Sequence, residues 1–506
     1  MIIRIWYWLR MAYSVWKLRI ANTEDARAVA RRALSLQMAD ARGLPMKMGQ
    51  VLAGMGDASE FQNLTHSVTP WPLSRMRPVL ESAWQCPLEE VLFNIEESEA
   101  AASLGQVHRG LLKNGRVVAI KVQYLGIAKS IASEMRITGL MPGVGPVKRW
   151  QFDLEAYRQT LADNMRHELD YCHEMKTQQM FLSQLDVPGL MIPKVESHLC
   201  HAQVLVQEWC EGQRLATAAD WPLAERISLA RTLMMTLFQS LFVHGLVHGD
   251  PHPGNMMVQH GNDGVKLTLL DFGCTITITK TRRMALLKLI MAQRGDMAIN
   301  MIDVYAALGF DADKLAFIAP QLPALSHALF RPLIEDHPFD VQTWHPGKEA
   351  ATLLGDQRWW FRSAGPADLF LLMRIFQGLT AQLALLKVKI PWWPILTLAV
   401  SESVRGQAEA WQARPQNITP VEISEGMARA LKVKITRPDE EDLCITMPAN
   451  EAHTLSSIIP ENIQQLLTQQ GMNITTIQEE VLAQGLHPRT LFRLKQDVTH
   501  YHVWLE

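Results

Sequence analysis

The sequence predicts an α+β fold in two lobes, the first organised around strands and the second helical, with a helical extension before them and a small α+β accessory domain after them. Three observations predict it. Two strand-like runs meet at Asn114-Gly115, helical patterning fills most of the chain between 151 and 411, and strand patterning returns beyond a polar boundary near residue 415. Asn-Gly between two such runs signals a hairpin, because both residues tolerate the positive φ of a two-residue turn. The 506 residues exceed one ordinary core and fit two to four domains at roughly 100–200 residues each. An apolar fraction of 48% and a charged fraction of 20% are those of a folded protein. A formal charge of −2 argues against a nucleic-acid binder that works by bulk electrostatics.

Taken in order, residues 1–23 form a basic amphipathic segment, in which Arg4, Arg10, Lys17 and Arg19 alternate with Trp6, Trp8 and Trp16 and no acid precedes Glu24. Such a segment suits a membrane interface or a helix packed on its own domain. Residues 24–97 read as the helical extension, punctuated by Pro45, Pro70, Pro72 and Pro87. Residues 98–212 hold the strand-centred lobe: the hairpin of Gln106-Val107-His108 and Arg116–Val122, helical texture over 151–186, and a buried strand from Val204 to Trp209. Residues 213–411 form the helical lobe, with a long helix over 222–246. The uncharged run from Thr232 to Gly249 reads as a buried core helix, since Gln239, His244 and His248 interrupt it.

Residues 412–430 read as a linker, carrying Arg414-Pro415 and Thr419-Pro420. The accessory domain, 431–506, has strand candidates at Lys432–Thr436, Leu443–Met447 and Tyr501–Leu505 and a helix over Glu461–Gln470, between Pro460 and Gly471. Six scattered cysteines without a CxxC pair favour a reducing compartment. Arg4 and Arg10 leave no clean signal-peptide h-region. The expected location is cytoplasmic, at the periphery of the inner membrane face if residues 1–23 are interfacial.

The chemistry is concentrated in two ordered motifs, His248-Gly249-Asp250-Pro251-His252-Pro253-Gly254-Asn255 and then Leu269-Leu270-Asp271-Phe272-Gly273. Phosphoryl transfer needs a carboxylate beside the nucleophile and hard oxygen ligands that hold magnesium against the phosphates. Asp250 suits the first role, and Asn255 and Asp271 the metal. Val118-Ala119-Ile120-Lys121 matches the strand lysine that contacts nucleotide phosphates, whose usual partner is a helical glutamate. Glu168, Asp170 and Glu174 follow. Asp170 and Glu174 lie four apart and are expected to share a helix face, and Glu174 is the first choice for pairing Lys121.

Where a protein kinase has a glycine-rich phosphate loop, this chain has Ala100-Ala101-Ala102-Ser103, and upstream stands Lys47-Met48-Gly49-Gln50. With the ExD acids Glu168 and Asp170, these segments resemble the UbiB/AarF atypical kinases, a family linked to coenzyme Q (ubiquinone) biosynthesis, over about residues 40–400. The resemblance implies a bilobal protein-kinase-like fold that takes Mg2+ and an adenine nucleotide, ATP or ADP, under Ala100, Ala101, Ala102 and Ser103. It also implies that the N-terminal extension is a lid, with Lys47 and Gln50 facing Glu168 and Asp170. Isoprenoid lipid, a membrane surface and enzymes of coenzyme Q biosynthesis are the partners it suggests.

Alanine in place of glycine gives the loop less access to φ > 0, and so fewer ways to bring backbone N–H groups onto phosphates. The chain departs from the family pattern at Glu99, where proline is commoner, and at Gly105, where alanine is. His248 is followed by glycine, not arginine, and no APE-like sequence follows Gly273, so small-molecule, lipid or purely hydrolytic activity is favoured over peptide phosphorylation. Two rivals share the motifs: a small-molecule phosphotransferase of the aminoglycoside or choline kinase type, and a nucleotide-gated scaffold without turnover. Lys47 and Ala100–Ser103 discriminate against the first, and intact Lys121, Asp250, Asn255 and Asp271 against the second.

Overall fold

The computed structural model describes residues 10, 14, 17, 29, 33, 34, 37, 69–98, 100, 101, 104–138, 153–261, 264–295, 297–416, 428, 430–436, 443–484, 486, 488–496 and 499–506. Contacts divide the chain into residues 1–417 and 418–506. In the first unit, helix α1 (Leu73–Trp84) buries Met76, Val79 and Leu80, one face at three- and four-residue spacing, in the same core as Val118, Ile120 and Val122. The sheet runs β1 (Leu92–Ile95), β3 (Gly105–Leu112), β4 (Val117–Gln123), β6 (Val204–Glu208), all antiparallel, and the short β2 (Ala100–Ala101) also pairs with β3. Strand β1 falls in a segment that reads as helical. With Phe93 and Asn94 both exposed it shows no alternation, and only its pairing with β3 makes it a strand.

The β3–β4 turn forms at Asn114-Gly115, where Gly115 takes φ 84° and its N–H donates to Leu112 O at 2.9 Å. Helix α2 (Ile127–Thr138) follows, and then α3 (Leu154–Glu168) and α4 (Tyr171–Gln184) in the stretch read as helical. Gly105, at the start of β3, is fixed by close packing. A Cβ there would lie 2.3 Å from Val122 O and 2.9 Å from the Tyr171 hydroxyl. Gly105→Ala is therefore expected to destabilise the protein by about 1–3 kcal/mol, the usual cost of overpacking, measurable as a lowered unfolding midpoint.

In the helical lobe, α5 (Leu223–Phe238) buries Leu229, Leu233, Leu237 and Phe238 and continues as a π-helical segment over Gln239–His244. Gly245, with φ 73°, ends it, and the chain leaves as β8 (Leu246–His248). The apolar run expected as one helix is thus a helix and a strand, since a hydrophobic run alone does not distinguish the two. β9 (Met256–Gly261) and β10 (Gly264–Leu269) form an antiparallel hairpin; β10 pairs in parallel with β5 (Leu190–Met191), and β9 pairs with β7 (Gln213–Arg214). β11 (Thr275–Thr277) returns to β8. Beyond it lie α6 (Lys280–Arg294), α7 (Leu322–Ile334), α8 (Leu369–Leu385), α9 (Trp392–Ala399) and α10 (Glu402–Ala410), with shorter helices between α6 and α8.

The second unit has its own core under a four-stranded antiparallel sheet of order β13-β12-β15-β14. The strands are β12 (Ala430–Thr436), β13 (Leu443–Pro448), β14 (Arg489–Gln496) and β15 (Thr499–Leu505), and the longer helices are α11 (Glu461–Gln469) and α12 (Ile474–Gln484). The strand candidates and the helix after Pro460 are where the sequence puts them. β14 is additional: its alternation is broken by a bulge between Thr490 and Phe492. Among the described residues no helix is long and apolar enough to cross a membrane.

Candidate active site

Two short pairings bring the motifs together. β8 and β11 put Thr275 opposite His248, and Gly249 N–H donates to Cys274 O at 2.8 Å, so the chain before Asp250 lies beside the chain after Gly273. At the other end the β9–β10 hairpin puts Met256 opposite Leu269, and Leu270 N–H donates to Asn255 O at 3.0 Å. The loop carrying Asp250 and Asn255 and the turn carrying Asp271 are thus clamped at both ends by backbone hydrogen bonds.

Lys121, on β4 opposite Val107 and Leu205, reaches this turn from the other lobe. Its Nζ lies 2.8 and 2.9 Å from the two Glu174 carboxylate oxygens and 2.9 Å from Asp271 Oδ2. Glu174, from the first turn of α4, also accepts from Phe272 N–H at 3.3 Å, and Asp271 Oδ1 accepts from Gly273 N–H at 3.0 Å. Burial works against the Lys121 ammonium, but Asp271 and Glu174 outweigh it and hold its pKa well above the ordinary value. Tyr171 adds its ring at 5.0 Å from the ammonium.

Burial pushes the Glu174 carboxyl up to about 7, against the pull of Lys121 and with Asp271 adding to the rise. Folding therefore takes up protons at Glu174 between its ordinary 4.5 and about 7. Its contribution to stability is full below the lower value and is lost as pH rises through the upper one. Glu174→Gln is expected to flatten that loss, seen as a shallower fall in unfolding free energy between about pH 5 and about pH 8 in denaturant titrations.

His248 is buried, and burial lowers its pKa. Its Nδ1 accepts from Asp250 N–H at 3.2 Å, so Nε2 carries the proton and donates to Asp271 O. The ring also meets Phe272 edge-on at 5.7 Å, and Phe272 packs on Phe181 of α4 at 5.2 Å. Asn255 Nδ2 donates to Asp250 O at 3.1 Å, which leaves its amide oxygen as an acceptor. That oxygen and the Asp271 carboxylate are the hard donors magnesium prefers, and magnesium fills its remaining positions with water and phosphate oxygens.

Sequence reasoning missed the far wall of the site. Helix α8 turns Arg374, Gly378 and Gln382, spaced four apart, toward the Asp250 loop. Arg374 Nη2 lies 2.5 Å from Asp250 Oδ1, with both side chains 12% exposed. A Cβ on Gly378 would stand 2.2 Å from Pro251 Cγ, and Gln382 Nε2 donates to Pro251 O at 2.6 Å. The sequence signal available was the four-residue spacing of Arg374, Gly378 and Gln382 in a mostly apolar helix.

Ala100 and Ala101 form β2, opposite Val107 and Gln106; Ala102 and Ser103 lie outside the described residues. Buried Gln106 ties this hairpin to the chain before α1, accepting from Trp71 N–H at 2.8 Å and donating to Trp71 O at 2.7 Å. Of the expected lid residues, Lys47 and Gln50 also lie outside the described residues. Glu168 ends α3 and is buried. Asp170 is exposed and does not share a helix face with Glu174. It precedes α4 as its N-cap, accepting from Cys172 N–H at 2.9 Å, because an aspartate after a helix break serves the next helix's unsatisfied donors better than it continues either helix.

A family model described as the ABC1 atypical kinase-like domain matches residues 63–298, the span that holds Lys121, Glu174, Asp250, Asn255 and Asp271. Residues 63–298 are thus a domain of the UbiB/AarF atypical-kinase type. An uncharacterized aarF domain-containing protein kinase, chloroplastic, of Arabidopsis thaliana is 31% identical over 53% of this chain and 38% of its own length. The atypical kinase COQ8B, mitochondrial, of Rattus norvegicus is 32% identical over 46% of each chain. The matches to such curated relatives span about two fifths to two thirds of the relatives' own lengths. Among solved structures, the complex of Rv3197 with erythromycin from Mycobacterium tuberculosis matches 73% of this chain and 95% of its own, at 21% identity and a TM-score of 0.47. The UbiB/AarF-type fold here is an α+β protein-kinase-like fold. The matched span ends before Arg374, Gly378 and Gln382.

Proposed function

We propose that the chain binds an adenine nucleotide with magnesium and uses it for phosphoryl transfer or hydrolysis, in support of coenzyme Q or another isoprenoid-lipid pathway. One observation carries the reading: Lys121 pairs with both Glu174 and Asp271 beside the Asp250–Asn255 loop, inside the span that matches the ABC1 domain. In this reading Lys121, held charged by two carboxylates, contacts the phosphates. Glu174 orients Lys121 and anchors the Asp271 turn through Phe272 N–H. Ala100–Ser103 cover the nucleotide. Asn255 and Asp271 hold magnesium, which neutralises charge that builds on the transferring phosphoryl group. Asp250 accepts the hydrogen bond of the attacking hydroxyl or water and aims it. Lys47 and Gln50 close the site against Glu168 and Asp170.

The test is phosphate release and nucleotide affinity of the purified full chain with Mg-ATP, alone and with anionic liposomes and isoprenoid phenols. The reading expects magnesium-dependent turnover that is stimulated by the lipid phase. Tight nucleotide binding with no turnover in any condition would favour the scaffold, and turnover raised by small amino alcohols or aminoglycosides but not by lipid would favour the small-molecule phosphotransferase. The membrane part rests on residues 1–23, of which Ser14 is buried and donates to Gln37 Oε1 at 3.0 Å. Co-sedimentation with anionic liposomes at low and high salt, with and without this segment, separates an interfacial role from internal packing.

A further inference from the structure

The Asp250 loop, from His248 to Asn255, contains no lysine or arginine. A buried carboxylate without a cation is costly, and one free to rotate cannot aim an acceptor. Here the cation comes from 124 residues downstream, on a helix outside the matched domain span. The placement is built at several points. Asp368, the N-cap of α8, is held by Arg282 of α6 through Nη1–Oδ2 at 2.5 Å and Nη2–Oδ1 at 3.0 Å. One turn after Arg374, Gly378 lets the helix backbone reach Pro251, and one turn further Gln382 bonds Pro251 O. Three successive turns of one helix face thus set α8 against the loop, with Arg374 at the end nearest the carboxylate. Burial lowers the Arg374 pKa, but Asp250, Cys274 and Glu168 more than restore it, so the guanidinium stays charged and the ExD glutamate is one of its electrostatic neighbours.

We propose that Arg374 is a positioning residue of the reaction centre, which fixes the Asp250 carboxylate by its ion pair at Oδ1 and so aims the acceptor that Asp250 holds. This rests on the phosphoryl-transfer reading above. Arg374 acts through Asp250 and is given no contact with the nucleotide, so its loss should act on turnover and spare nucleotide affinity.

The experiment compares full-length wild type with Arg374→Gln, Arg374→Lys and Arg374→Ala in Mg-ATP-dependent phosphate release. Arg374→Gln should lose about 100-fold in kcat, the scale of an ångström-level misalignment, with the KM for ATP within about twofold. Lysine keeps the charge without the planar fork and should recover part of the loss; millimolar guanidinium should raise the turnover of Arg374→Ala and not of the wild type. A folded Arg374→Gln protein with wild-type kcat, or one whose KM alone rises, overturns the inference. If the wild type itself releases no phosphate, the enzymatic reading falls first. The pair is then judged by unfolding: additive effects of Arg374→Gln and Asp250→Asn overturn the inference, and a double variant more stable than the sum of the singles supports Arg374 as the group that fixes Asp250.

Discussion

Asp271→Asn is expected to abolish the magnesium-dependent stabilisation of the protein by nucleotide. The wild-type carboxylate accepts at both oxygens, from Gly273 N–H at Oδ1 and from Lys121 at Oδ2. An asparagine amide carries one acceptor and one donor. In either orientation its NH2 points at a donor, the Lys121 ammonium or the Gly273 N–H, and the anionic metal ligand is gone. The loss therefore combines a weaker magnesium site with a disturbed lysine. A ligand at 100 times its Kd adds about 2.7 kcal/mol of stability, and that gain should vanish in the variant. Thermal unfolding with and without Mg-ADP or Mg-ATP reads it directly. A variant that keeps the full magnesium-dependent shift would remove Asp271 from the metal site.

Much of this site was legible in the chain. Asp250, Asn255 and Asp271 stood out through the His248–Asn255 and Asp271-Phe272-Gly273 motifs, and Lys121 through its order ahead of them, and the fold brings these residues to one place. The choice of Glu174 came from its place after that lysine, and the 2.8 Å ion pair agrees with it. What the sequence hid has a common physical character. Asp170 as a cap depends on where one helix stops, β1 on a partner strand, and the strand after Gly245 on a single left-handed residue. Arg374 was beyond reach because nothing in its neighbourhood refers to Asp250; only tertiary packing of α8 joins positions so far apart.

The second large effect is expected from Gly378→Ala, which adds one methyl group outside every motif. The new Cβ would stand 2.2 Å from Pro251 Cγ, 2.9 Å from Pro251 Cβ and 3.3 Å from Pro251 O. Proline cannot swing away, since its ring is closed on its own backbone. Favourable carbon contacts need about 3.5–4.0 Å, so helix and loop must part by more than about 1 Å. That shift separates Arg374 from Asp250 Oδ1 and Gln382 from Pro251 O, and carries Asp250 off its line. Overpacking should cost about 1–3 kcal/mol of stability. The catalytic loss should be larger in effect, about 100-fold in kcat, because an ångström at the reaction centre is worth that much. Asp271 keeps its ion pair with Lys121, and Glu174 keeps its hold on Phe272 N–H, so nucleotide-induced stabilisation should fall much less than turnover. Paired measurements of phosphate release and nucleotide-induced thermal shift decide the matter: turnover within about twofold of wild type in a folded Gly378→Ala protein would mean that α8 does not brace the loop.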